Sequence, residues 1–146
     1  MAQTEHLPIF KQAYDLCLYL EQVVRSFPRY HKYALGADIR DCARRVLCLI
    51  VRANSRRDKA ATLLELRETV EELKVLLRLA FDAKAFPKMA SFEHAATQAV
   101  GIAKQNEGWL KSQAVPSGDR PTASQREGYG QNRGAIPEGI ARPSVP

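Results

Sequence analysis

The most constraining feature of this sequence is a set of apolar residues that recur at alternate spacings of three and four. The most regular set consists of Leu63, Leu66, Val70, Leu73, Leu77 and Ala80. Because residues three and four apart share one face of an α-helix, this set predicts an amphipathic helix from about Asp58 to Ala85. No segment alternates apolar and polar residues at the spacing of a β-strand.

Three more segments show the same period. The first predicted helix runs from about Pro8 to Phe27, with Phe10, Ala13, Cys17, Leu20, Val24 and Phe27 on its apolar face. The second runs from Arg29 or Leu35 to Ser55, with Leu35, Ile39, Cys42, Val46, Leu49 and Ala53. The last has Ser91 as its predicted N-cap and an inner face of Phe92, Ala95, Ala99, Ile102, Ala103, Trp109 and Leu110. Four such helices with short connections predict an all-α fold, an antiparallel up-down-up-down four-helix bundle.

The composition changes near Ala114. The last 33 residues hold five of the eight glycines, five of the eight prolines and few large apolar residues. Such a segment buries too little apolar surface to offset its chain entropy. We therefore predict a four-helix bundle over residues 1–113 and a disordered Gly/Pro-rich tail over residues 114–146.

Several classes of protein are disfavoured. The longest apolar run has six residues, far below the ~18 of a membrane span, and the N-terminus does not resemble a secretory signal. The three cysteines, Cys17, Cys42 and Cys48, lack CxxC spacing and lie among apolar neighbours, so we expect them to be reduced and buried. These features predict a cytoplasmic protein that does not contact the membrane.

No catalytic motif is present. The sequence lacks HExxH, GxSxG and Walker A patterns, and none of its three histidines is four residues from another histidine or a cysteine. Glu68, Glu71 and Glu72 lie off the apolar stripe and are predicted to form a solvated helix face. We therefore expect no enzyme activity, no cofactor and no metal.

The positive charge is concentrated in one segment. Between Pro28 and Arg57 there are eight basic residues and two acidic ones, an excess equal to the net charge of +6 of the whole chain. On the predicted second helix the arginines lie opposite the apolar face, where their planar donor groups suit phosphate. The predicted nucleic-acid-binding residues are Arg40, Arg44, Arg45, Arg52, Arg56 and Arg57.

An alternative remains for the same arginines. They could pair with Glu65, Glu68, Glu71 and Glu72 of the following helix, within one molecule or across a subunit contact. No aromatic residues interleave with these arginines, so we expect recognition of phosphates and shape rather than stacking on single-stranded bases.

Two long stretches and one short motif resemble a known family. The stretches are LPIFKQAYDLCLYLEQVVRSFPRYHKYALGADIR and ANSRRDKAATLLELRETVEELKVLLRLAFDAKAF, and the motif is GWLK at 108–111. Over about residues 7–112 the chain resembles the accessory variability determinant proteins of diversity-generating retroelements. Proteins encoded by intervening sequences of bacterial large-subunit rRNA genes are similar in less detail.

The resemblance implies a specific role. Members of this family are four-helix bundles that assemble into a homopentameric barrel with a basic surface. They bind the reverse transcriptase of the element and nucleic acid, and they perform no chemistry themselves. The complex copies a template-repeat RNA into mutagenised cDNA that replaces a variable repeat during retrohoming. The six arginines would form the basic surface here, and the tail lies outside the family pattern.

Two other functions remain open. The chain could be a ribosome-associated or rRNA intervening-sequence bundle, or a protein–protein adaptor that binds no nucleic acid. In the adaptor, the arginines would be occupied by the acids of the third predicted helix.

Overall fold

The computed structural model describes residues 2–114, which form six helices and no strand within that range. The helices are α1 (Ala2–Glu5), α2 (Pro8–Arg25), α3 (Arg29–Lys32), α4 (Leu35–Ser55), α5 (Ala60–Asp82) and α6 (Met89–Ala114). The predicted tail beyond Ala114 lies outside the described residues. None of the described helices is both long and apolar enough to cross a bilayer.

The four long helices form a closed bundle. Helix α4 packs against α2 and α5, and α6 packs against α5 and α2, so helices adjacent in sequence are adjacent in space. Contacts between residues 12 and 98, and between residues 19 and 94, show that α2 and α6 run in opposite directions. The predicted all-α antiparallel up-down-up-down bundle is confirmed.

The core consists largely of the predicted apolar stripes, although Phe10 and Cys17 of the α2 stripe are only partly buried. All six stripe residues of α5 are at most 1% exposed, and Ala13, Leu20, Val46 and Ile102 of the other helices are also buried. Full burial of a leucine-sized side chain contributes roughly 1.5–3 kcal/mol. The spacing of apolar residues therefore identified the faces that stabilise the fold.

One buried polar side chain was not predicted. Asn106 lies on the inner face of α6 with no exposed surface, and its Nδ2 donates a hydrogen bond to the carbonyl of Leu63 at 3.1 Å. Its Oδ1 has no hydrogen-bond partner within the described part of the chain. This contact links α6 to the first turn of α5.

Several helix ends differ from the prediction by two or three residues, including both ends of α5. Helix α2 ends at Arg25, and Phe27 beyond it remains buried, 5.0 Å from the ring of Phe86. The prediction that Ser91 is the N-cap is wrong, because α6 begins at Met89. The carbonyl of Lys88 already accepts from the N–H of Ser91 at 3.1 Å, so Ser91 lies inside the helix.

The C-terminus of α5 adopts a Schellman motif. Lys84 has a φ of 64°, in the left-handed region. The N–H of Ala85 donates to the carbonyl of Ala80 at 2.8 Å, and the N–H of Lys84 donates to that of Phe81 at 3.0 Å. These hydrogen bonds satisfy carbonyls that the helix end would otherwise leave unpaired.

Gly36 allows a close contact between the start of α4 and α2. A Cβ atom at this buried position would lie 2.6 Å from Cγ1 of Val24 and 3.3 Å from the carbonyl oxygen of His31. Glycine therefore allows α4 to approach α2 closely at the end of the bundle that carries α3.

The cysteines are free, as predicted, but they are not all buried. Cys42 is buried and Cys17 is half-buried, and their thiols lie 3.4 Å from the carbonyl of Thr69 and 3.2 Å from that of Ala43. Cys48 is exposed, so the prediction that it is buried is wrong. Although its neighbours in sequence are apolar, Cys48 lies four residues from both Arg44 and Arg52 and shares their side of α4.

Candidate nucleic-acid interface

Helix α4 carries the predicted arginines on the side that faces solvent. Arg44 and Arg45 are about half exposed, with side-chain exposures of 52% and 51%, and Arg40 is the most buried of the six. Arg56 is the C-cap of α4 and Arg57 follows it in the loop. We call these six residues, Arg40, Arg44, Arg45, Arg52, Arg56 and Arg57, the arginine face.

Helix α5 supplies carboxylates to this face. Nη2 of Arg45 lies 2.8 Å from Oε2 of Glu72, and this hydrogen bond raises the pKa of Arg45. Nη1 of Arg52 lies 3.5 Å from Oε1 of Glu65. The alternative pairing with the following helix therefore occurs for these two acids within one chain.

The other predicted acids behave differently. Glu71 pairs with Lys74 of its own helix at 2.8 Å, and Glu68 has no ion pair within residues 2–114. Both are exposed, as predicted for a solvated helix face. The arginine face is therefore only partly neutralised from the α5 side.

A carboxylate on α2 was not predicted. Glu21 faces both Arg40 and Arg44, with N–O distances of 3.5 and 2.5 Å, and Asp41 lies 3.2 Å from Arg44. Burial raises the pKa of Glu21, but the hydrogen bonds and charges of the two arginines outweigh it and lower the pKa from 4.5. The sequence did contain a signal for this contact. Because α2 and α4 pair in antiparallel orientation about a short connection, residue 21 lies opposite residues 40–44.

Several basic residues near the two ends of α4 lie outside the ion pairs of the arginine face. Arg56 and Arg57 have no ion pair among the described residues, and neither do Arg25, Arg29 or Lys32 at the opposite end of α4. On the α5–α6 side, by contrast, both Nε and Nη2 of Arg67 bind Glu107 at 2.7 Å. Two exposed rings, Tyr30 and Tyr33, accompany the cations near α3 and are absent from the predicted site.

The pairs on the arginine face are exposed and therefore weak, apart from that between Arg40 and Glu21, which is half-buried. Ion pairs between solvent-exposed side chains contribute about 0–1 kcal/mol each and are screened by salt. A phosphate can replace such a carboxylate, because arginine binds both groups with the same planar donors. The arrangement can thus exchange internal carboxylates for the phosphates of a polyanion.

No arrangement in the described chain resembles a metal site. Within residues 2–114 there is no group of three His, Cys, Asp or Glu side chains that could hold a metal ion. His94 packs against the ring of Tyr19 at 4.4 Å.

The fold and this face define a class of small helical proteins: four-helix bundles with one arginine-lined helix exposed to solvent. The bAvd-like family matches residues 7–113, and the chain belongs to that family. At family level it is an Avd-type accessory protein. No curated protein matches the chain.

Proposed function

We propose that this protein is a non-enzymatic accessory subunit of a diversity-generating retroelement reverse transcriptase. In this role it binds RNA and cDNA through the arginine face and supports mutagenic cDNA synthesis and retrohoming. The observation that carries the proposal is the bAvd-like match over the whole bundle, residues 7–113. The arrangement of six arginines along and just beyond one helix, five of them exposed and Arg40 half-buried, supports it.

The arginine face suits a nucleic-acid backbone. The span from Arg40 to Arg56 is about 24 Å at 1.5 Å per residue, which is long enough for several phosphates. Each phosphate bound displaces a counterion from the nucleic acid, and an internal carboxylate such as Glu21 returns to solvent. Contacts of this kind position a backbone without reading its bases.

The partners are proposed from the family resemblance. The reverse transcriptase and the template-repeat RNA are the proposed partners, and the proposed assembly is a homo-oligomer, a pentamer by family resemblance. Several copies in one assembly would repeat the arginine face and multiply the number of phosphate contacts.

The decisive experiment measures affinity for a structured RNA across a salt series. The variant carries Arg40→Glu, Arg44→Glu and Arg52→Glu, and a control carries the same charge change at Arg67, Arg78 and Lys104 on α5 and α6. For the wild type we expect log affinity to fall steeply with log salt, with a slope of about −0.7 to −0.9 per phosphate contact. The arginine-face variant should lose most of the affinity and most of the slope, whereas the control keeps both.

Two results would contradict the proposal. One is unchanged RNA affinity in the arginine-face variant, and the other is an equal loss in the control. Glutamine replacements at the same three positions serve if charge reversal unfolds the protein, which helicity and thermal melting would reveal.

A second candidate is the protein–protein adaptor. It is favoured by the observation that Arg40, Arg44, Arg45 and Arg52 each have a carboxylate partner within the same chain. Absence of RNA binding at low salt would favour it. The intervening-sequence alternative also predicts RNA binding, and co-purification with the reverse transcriptase separates it from the accessory subunit.

A further inference from the structure

We propose that residues 29–33 form a second nucleic-acid site, at which Tyr30 and Tyr33 stack on unpaired bases of a single strand. We call these residues, Arg29, Tyr30, His31, Lys32 and Tyr33, the tyrosine turn. The inference extends the proposed function, since it adds a site away from the arginine face and specifies a form of ligand. The single strand can be RNA or cDNA, because the bases of both offer the same aromatic faces.

The first observation is the exposure of the two rings. Tyr30 is 84% exposed and Tyr33 is 70% exposed, more than the other exposed large hydrophobic side chains of the described chain. They are three residues apart across one helical turn, a spacing that places side chains on neighbouring positions of the same surface. The molecule thus holds two aromatic rings that are largely exposed to water.

The second observation is that backbone hydrogen bonds hold the turn in place while none of its side chains is buried. The N–H groups of His31 and Lys32 both donate to the carbonyl of Pro28 at 2.9 Å, and the N–H of Ala34 donates to that of His31 at 3.2 Å. None of the four residues of α3 is buried. The flanking residues Phe27 and Gly36 are buried, so the core anchors the turn on both sides.

The third observation is the charge around the rings. Arg29 is exposed, Lys32 is partly exposed, and neither has an ion pair within residues 2–114. Nζ of Lys32 lies 5.9 Å from the centre of the Tyr33 ring, and the ring of His31 lies 5.0 Å from that of Tyr30. Arg25, at the end of α2, adds a further exposed cation without an ion pair among the described residues.

Cations beside aromatic faces match the chemistry of a single strand. Basic side chains bind its phosphates, while each unpaired base stacks on an aromatic ring. A duplex hides its base faces and offers the tyrosines nothing to stack on.

The test uses two single-stranded probes of equal length and charge, a 12-nucleotide oligoadenylate and an abasic strand that keeps the phosphates. Binding is measured by fluorescence anisotropy for the wild type, Tyr30→Ala/Tyr33→Ala and Tyr30→Phe/Tyr33→Phe. The matched control is Tyr14→Ala, which removes an exposed ring on α2 that is 46% exposed and stacked on Phe10.

We expect the double alanine variant to bind oligoadenylate at least about 25-fold more weakly, from roughly fivefold or more per ring. The double phenylalanine variant and Tyr14→Ala should bind as the wild type does. Affinity for the abasic strand should be low in every variant and should not change with the tyrosines. Because Tyr30 and Tyr33 are exposed, their double alanine and double phenylalanine variants should melt at the wild-type temperature.

Unchanged oligoadenylate affinity in the double alanine variant would overturn the proposal, as would an equal loss of affinity for the abasic strand. The rings would then belong to a protein interface. The failure of this site is distinguishable from failure of the arginine face. Charge reversal at Arg40, Arg44 and Arg52 acts on structured RNA, whereas the tyrosine variants act on the single strand.

Discussion

Oε2 of Glu21 on α2 lies 2.5 Å from Nη2 of Arg44 on α4, and Oε1 of the same carboxylate lies 3.5 Å from Nη1 of Arg40. One acid therefore restrains two of the six arginines. It competes for the same donors that a phosphate would use. This relationship makes Glu21 the residue whose removal most directly tests the role of the arginine face.

Replacing Glu21 with glutamine should strengthen RNA binding. The neutral amide leaves Arg40 and Arg44 without an anionic partner, so their donors are free for phosphate at lower cost. Since an exposed ion pair is worth up to about 1 kcal/mol, we expect affinity to rise by up to about fivefold at low salt. Glu93→Gln, which removes an exposed acid of α6 without an ion pair among the described residues, is the control. Weaker binding in Glu21→Gln would mean that Glu21 positions the arginines instead of competing for them.

The same carboxylate should make stability depend on pH. Its pKa in the folded protein is lower than its ordinary value of 4.5, chiefly because hydrogen bonds and charge from Arg44 outweigh the effect of burial. The folded state therefore favours the ionised form. The resulting stability is present above pH 4.5 and is lost as the pH falls through the folded pKa.

Urea unfolding of the wild type and of Glu21→Gln, from pH 7 to below pH 4.5, measures this dependence of stability on pH. The wild type should be more stable near pH 7 by a fraction of 1 kcal/mol, because the pair is partly exposed. The difference should shrink towards zero below pH 4.5. A difference that stays constant with pH would show that the ionised carboxylate does not contribute.

Two glycines of the bundle should respond in opposite ways to alanine. At Gly36 the added Cβ would meet Val24 and the His31 backbone, so Gly36→Ala should lower the free energy of unfolding by about 1–2 kcal/mol. At Gly108 on α6 no atom lies within 4 Å of the added Cβ, so Gly108→Ala should raise it by about 1 kcal/mol. Thermal melting of the two variants measures both effects. A stabilised Gly36→Ala protein would mean that α2 and α4 do not approach closely at this point.

The three thiols should differ in reactivity. Burial raises the pKa of Cys17 and of Cys42 to about 11, whereas Cys48 is exposed on the side of α4 that carries Arg44 and Arg52. A maleimide at pH 7 should therefore modify one thiol rapidly in the folded protein and all three after unfolding. Cys48→Ser should remove the rapid phase.

Saturating structured RNA should slow that rapid phase if it covers the arginine face. Equal rates with and without bound RNA would place the RNA elsewhere on the molecule.

The periodicity of the sequence was sufficient to predict the helices and their inner faces. Residues such as Leu63 and Leu73 repeat at the period of the helix, and burial of one face per helix is the main source of stability in a bundle. The same reasoning placed Arg44 and Arg52 on the solvent side of α4. The predicted burial of Cys48 was wrong because it rested on the apolar residues beside it in the sequence. Residues adjacent in sequence do not share one face of a helix.

The candidate sites were only partly predictable. Pairing of the arginines with the acids of α5 was one of two alternatives. Glu65 and Glu72 do meet arginines, Glu68 and Glu71 do not, and Glu21 of α2, which was not considered, meets two. Which acid meets which arginine depends on the axial register between helices, and that register depends on close contacts such as Gly36 against Val24. The exposure of Tyr30 could not be predicted from the sequence either, because a one-turn helix is too short to show a period.

The sequence by itself determined four amphipathic helices, most residues of their core and the helix that carries the excess positive charge. These are properties of single helices, and they follow from the 3.6-residue period and from residue chemistry. Only the tertiary structure decided that Glu21 restrains Arg40 and Arg44 and that Tyr30 and Tyr33 face solvent beside unpaired cations. These are relationships between elements, and they depend on how packing fixes the position of one helix or turn against another.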